Sequence, residues 1–89
     1  MAQYFFHLCD GVDLLKDPDG REIEDAGEIA AIALHEARVC ISQDALEGRI
    51  DFTQTIQVRD DKGELVYLQR FSDAVMILII RMIDDLALG

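Results

Sequence analysis

Basic side chains are scarce in this chain. Eight Lys and Arg stand against eighteen Asp and Glu, for a formal net charge of −10, and no two bases are adjacent. A surface of that sign repels phosphate backbones and anionic headgroups, so no nucleic acid and no membrane is expected as a partner; a basic protein suits the charge better. Long apolar runs are also missing. The longest, Ala74 to Ile80, is far short of the roughly 20 residues that span a bilayer. The N-terminal segment has neither a basic leader nor a long apolar stretch, so it does not read as a secretory signal, and the chain is expected in the cytoplasm. Cysteine is limited to Cys9 and Cys40, expected as free thiols packed like small hydrophobes. There is no phosphate-cradling glycine loop, no Gly-x-Ser-x-Gly elbow and no Cys-x-x-Cys pair, so neither an enzyme nor a cofactor is expected. Repeats, linkers and low-complexity tracts are absent as well.

What the chain does hold is apolar residues, 51% of an 89-residue sequence. A chain of this mass buries only roughly 60–65% of its unfolded surface, enough for one core. The apolar excess points to a second subunit covering part of it.

The organising stretch is Asp25 to Glu47, which reads as one helix. Wound at 100° per residue, Ala26, Ile29, Ala30, Ala33, Leu34, Ala37, Cys40, Ile41 and Ala45 fall in one arc, while Glu28, His35, Glu36, Arg38, Ser42 and Gln43 fall outside it. Its alanines let it lie close to a sheet. Asp25 is placed to cap it, Glu28 completes the spacing of a capping box, and Gly48 suits a left-handed end.

Around it the chain reads as strands. Gln3 to Cys9 is apolar on both alternating faces and is expected to be covered on both sides. Asp10-Gly11 stops it, Asp17-Pro18-Asp19-Gly20 is a turn, and a short strand on one or both sides of that turn is an open alternative. Phe52 to Arg59 and Glu64 to Phe71 form a hairpin about Asp60–Gly63. A four-residue loop pairs Val58 with Leu65 and Ile56 with Tyr67; a three-residue loop with a glycine bulge pairs Val58 with Val66 and Ile56 with Leu68. The first is preferred because it sets Arg59 against Glu64. Ser72-Asp73 offers a cap for a last helix from Ala74 to Leu86, with Val75 to Ile80 as a buried strand the competing reading.

Candidate chemistry is thin. His7 and Cys9 share a face of the first strand beside Asp10, with His35 and Cys40 on the helix, and such donors can hold zinc, but the spacing matches no standard ligand pattern. Neither cysteine has a visible base to make it a nucleophile. Asp10 to Asp25 holds seven carboxylates, without the order of a calcium loop, and reads as a solvated acidic loop.

The opening Tyr4-Phe5-Phe6-His7-Leu8, then Asp10-Gly11, Asp17 to Gly20, Glu22, Asp25 and the helix Ala30 to Arg38, resembles a family of small bacterial proteins of uncharacterised function. That family shares a Tyr-Phe-Phe-His-x-x-Asp-Gly-like start and is common in alphaproteobacteria. The resemblance runs through Phe71-Ser72-Asp73-Ala74-Val75 and implies an identity without a mechanism. The order of elements is also similar, in topology only, to Hic-type antitoxin domains, where an acidic surface would suit masking a basic toxin.

The expected fold is α+β: a three- to four-stranded antiparallel sheet, one long helix packed on it and a C-terminal helix. Residues 1–73 form the domain and 74–89 an apolar oligomerisation element. The expected function is a non-catalytic protein-interaction or regulatory module, a homodimer, with Ile32, Val39, Leu46, Val75, Met76, Ile79, Ile80 and Ile83 at its interface. The alternative is a small-molecule or metal-binding domain, or a minor enzyme, using His7, Cys9 and Asp10.

Overall fold

The computed structural model describes residues 2–79. It is α+β: an antiparallel sheet of five strands carries one long helix. β1 (Ala2–Asp10) pairs on one side with β4 (Thr55–Asp60), which pairs with β5 (Leu65–Arg70). Its other side is shared by two short strands. β2 (Asp13–Leu15) pairs with the end of β1 and β3 (Arg21–Ile23) with its start. Strands therefore form on both sides of the Asp17–Gly20 turn, one more than the largest sheet expected. Among the described residues no helix is long and apolar enough to cross a membrane.

The helix begins as expected. Asp25 Oδ1 accepts from Gly27 N at 2.9 Å, a 3₁₀ turn spans Ala26–Glu28, and α1 follows over Ile29–Leu46. Asp25 bonds to Gly27 N rather than to Glu28 N, and Glu28 adds no side-chain cap, so the expected capping box is replaced by a single Asp25 cap. At the far end Gly48 N donates to Ala45 O and Arg49 N to Asp44 O, with Gly48 at φ +86°, the paired bonds of a Schellman end. The buried stripe is narrower than the predicted arc. Ile29, Ala33, Ala37 and Ile41 are buried at four-residue spacing, whereas Ala26, Ala30 and Ala45 are exposed. Ala33 and Ala37 lie flush against β4 and β5, and Ile56, Val58 and Phe71 complete the core beneath them.

The hairpin follows neither predicted register. Its loop is the three-residue one, because Asp60 organises it: Oδ1 accepts from Lys62 N and Glu64 N, both at 2.9 Å, and Gly63 N closes on Asp60 O. A bulge in β5 then slips the strand by a further residue, so that Val58 meets Tyr67 and Ile56 meets Gln69. The slip turns Tyr67 and Gln69 toward the helix, and Gln69 becomes the one buried polar side chain among the described residues.

Two further expectations are corrected. The predicted helix from Ala74 is absent over its described part: a 3₁₀ turn at Phe71–Asp73 ends at Ala74, and residues 75–79 take no regular structure, helix or strand. The Ala74 carbonyl, which would begin the helical ladder, accepts from Arg38 Nε at 2.9 Å, and Met76 to Ile79 have no packed surface against which to stabilise a short helix. Ile80 and Ile83 lie outside the described residues. Nor is β1 covered on both sides. Tyr4, Phe6 and Leu8 pack toward α1, and no described element lies across the face carrying Phe5, His7 and Cys9.

Candidate functional site

Of the residues proposed for chemistry, His7 sits at the gap between β2 and β3, while Cys9 and Asp10 pair with β2. Leu15 pairs with Leu8 and Arg21 with Tyr4, so β1 has no strand partner on that side at Phe6 and His7. Asp17 fills the gap. Its Oδ2 accepts from Phe6 N at 3.2 Å, its own N–H donates to His7 Nδ1 at 3.0 Å, and Oδ1 accepts from Asp19 N at 3.3 Å and Gly20 N at 3.2 Å. Burial alone would raise the Asp17 pKa. The three backbone N–H donors, Phe6 foremost, and then the nearby His7 outweigh it and hold the carboxyl below its ordinary value.

This arrangement defines what His7 does. With Nδ1 accepting from the backbone, the neutral ring carries its proton on Nε2, and the ring stacks on Phe5 at 6.2 Å between centroids. Phe5 in turn packs on the turn itself. Gly20 is at φ +68°, and a Cβ there would lie 2.8 Å from Phe5 Cε2. Cys9 Sγ is 3.6 Å from Gly11 O, a thiol donating to a carbonyl. His7, Phe5 and the Asp17–Gly20 turn thus form one network in which the strand edge is closed by side chains, while Cys9 bonds apart from it to the turn between β1 and β2.

Asp10 is not brought into that network. It lines a separate shallow cleft of about 170 Å³ with Asp44, Glu47, Arg49 and Asp51. His35 is exposed on α1. Among the described residues no group of three or more His, Cys, Asp or Glu is placed to hold a metal ion.

A larger cleft of about 300 Å³ opens between α1 and the helix-side face of β1, lined by Phe6, Leu8, Leu15, Glu36 and Cys40. Arg21 bridges it, bonded to Glu36 at 3.0 Å with its guanidinium 5.0 Å over the Phe6 ring. Cys40 lines the wall, where burial first, then Asp44 and Glu36, push its thiol pKa up. The thiol is held in its protonated, unreactive form.

Of the interface candidates, Ile32 is half-buried against the core, Val39 is half-buried and Leu46 is 90% exposed. Val75 packs on the core, while Met76 and Ile79 stand in solvent. Asp17, Phe5 and Gly20, the residues that build the closed edge, were not singled out by sequence reasoning. Their signal was the Asp-Pro-Asp-Gly turn, whose first carboxylate commonly folds back onto backbone N–H groups.

Neither curated proteins nor solved structures contain a match to the chain. Residues 3–72 match the family model described as a domain of unknown function, DUF6894, which begins at β1 and ends at the turn after β5. Since that match covers most of the sequence, the chain belongs to the DUF6894 family.

Proposed function

We propose that this chain is a non-catalytic interaction module of the cytoplasm that associates with a second copy of itself through the segment following the 3₁₀ turn. One observation carries the reading. Met76, Ile77, Leu78 and Ile79 are 84, 55, 80 and 83% exposed, four consecutive large aliphatics in water. Isolated surface aliphatics are ordinary, but a contiguous run of this kind marks a contact surface. Leu46, also exposed, adds a further apolar contact on α1. The acidic surface leaves a basic protein as the fitting partner for the assembled module. A non-catalytic role is supported by the use already made of the chemical groups, with His7 Nδ1 bonded to backbone and the Cys40 thiol pushed up.

The test is the mass in solution by light scattering, for the full chain and for a chain ending at Val75. The cut is placed there because Ala74 is 1% exposed and its carbonyl holds Arg38. A full-length dimer that becomes a folded monomer on truncation is the expected result. A full-length chain that stays monomeric at micromolar concentration overturns the reading.

A further inference from the structure

Among the described residues, one face of the sheet has no layer on it. Three cross-strand rows make it up: Phe5–Arg59–Leu65, His7–Gln57–Leu68 and Cys9–Thr55–Arg70. Leu65 and Leu68 are exposed at 49 and 39%. This face is poor in acid, unlike the molecule as a whole. In a chain with eighteen acids, its positions on β1, β4 and β5 carry two arginines and no carboxylate, and Glu22, paired with Gln3 on the short edge strand β3, is the acid in register with it. Arg59 spends its guanidinium on Gly63 O and Gln57 Oε1, and neither it nor Arg70 forms a salt bridge among the described residues.

An occupant that fits must be aliphatic and acidic. The chain itself contains such a segment: Met76 to Ile80 is followed by Met82, Ile83 and then Asp84-Asp85. At its start the segment is held on the helix side of the sheet, because the Ala74 carbonyl is tied to Arg38 of α1, which packs on the other face. We infer that in the self-associated protein the C-terminal segment of each copy docks on the open face of the other, its aliphatics against Phe5, Leu65 and Leu68 and its Asp84-Asp85 pair against Arg59 and Arg70. The exchange is reciprocal, so one two-fold axis buries both open faces and both tails. It also joins two apolar features of opposite charge. This inference rests on the self-association proposed above and assigns its contact.

The experiment uses charge reversal in the full chain, read by sedimentation equilibrium, with circular dichroism melts as the fold control. Arg59→Glu with Arg70→Glu should weaken dimerisation about tenfold or more, as should Asp84→Arg with Asp85→Arg. Each doubly substituted chain alone associates poorly. Mixed in equal amounts, they should form a heterodimer as tight as the wild-type pair, because every face then meets a tail of opposite sign. Should the Arg59 change loosen the hairpin, Leu68→Asp gives the same face readout without touching the loop. A wild-type dimer insensitive to the face variants overturns the docking site and leaves self-association standing. A mixture that fails to restore association overturns the face-to-tail pairing. A monomeric wild-type chain overturns both readings.

Discussion

Asp17 takes the place of a strand beside Phe6. The Phe6 N–H falls between the last pair with β2, Leu8 with Leu15, and the nearest pair with β3, Tyr4 with Arg21, and Asp17 Oδ2 accepts it at 3.2 Å. The same residue donates its N–H to His7 Nδ1 and closes its own turn on Asp19 and Gly20. One carboxylate thereby joins two short strands into a single edge that is interrupted but not unpaired.

This bond makes stability depend on pH. The Asp17 carboxyl is held below its ordinary value of 3.8 by its N–H donors, so its contribution is complete above that value and disappears as pH falls through the lower folded value. In the Asp17→Asn variant that loss should be missing from the acid limb of a melting curve. Asp17→Ala leaves the Phe6 N–H and the turn without their acceptor and should cost about 1–2 kcal/mol at neutral pH. That corresponds to a fall in Tm of roughly 4–16 °C for a domain of this size. An alanine variant that melts with the wild type would remove Asp17 from the account of the edge.

Gly20 is constrained twice. Its φ of +68° penalises any L side chain, and the added Cβ would meet the Phe5 ring at 2.8 Å and Tyr4 O at 3.0 Å. Gly20→Ala should therefore destabilise by about 2–4 kcal/mol, the sum of left-handed strain and overpacking. Gly11 is the control. Its φ of +61° is similar, but a methyl added there would find nothing within 4 Å, so Gly11→Ala should cost only about 1 kcal/mol. Urea midpoints of the two variants read the difference directly, and equal losses would contradict the contact with Phe5.

The helix and the core strands were legible because periodicity reports burial. Ile29, Ala33, Ala37 and Ile41 recur every fourth residue, and Ile56 and Val58 alternate with polar neighbours; each pattern survives folding unchanged. The hairpin register was not, since a one-residue bulge at Val66 costs little and leaves no mark on an apolar run. The tail misled for a related reason. Ser72-Asp73 has the composition of a helix cap, but a cap starts a helix only where a packed face can sustain it. His7 stood out only as a ligand residue of the alternative reading, and its partner here, the backbone of Asp17 ten residues away, is one that no spacing rule connects to it. The open face escaped notice because aromatic residues on both sides of β1 read as two buried faces, when Phe5 is instead half-covered by Gly20 and His7.

The Cys40 thiol should be slow to react. Burial raises its pKa first and the carboxylates of Asp44 and Glu36 add to it, so at pH 8 the thiolate fraction lies below that of an ordinary cysteine. Alkylation with iodoacetamide followed by peptide mass mapping should modify Cys40 slowly in the native protein and at the ordinary rate in urea. Rapid native modification would mean that the cleft beneath α1 opens readily.

Ala37 sets how closely α1 approaches the sheet. It has no exposed surface, and it lies in the stripe that meets β4 and β5 over Val58 and Phe71, which are equally buried. A leucine there has no space to enter, so Ala37→Leu must lift the helix or force side chains off their rotamers, at about 1–3 kcal/mol. Ala30, on the same helix, is exposed, and Ala30→Leu should change stability by no more than about 0.5 kcal/mol. Chemical denaturation of both variants tests this, and a leucine tolerated at Ala37 as well as at Ala30 would show that the helix rests on its isoleucines rather than on its alanines. The distinction matters for the open face as well. If α1 can lift without loss, the sheet is not a rigid platform, and the spacing of Arg59 and Arg70 on its far side would vary with it.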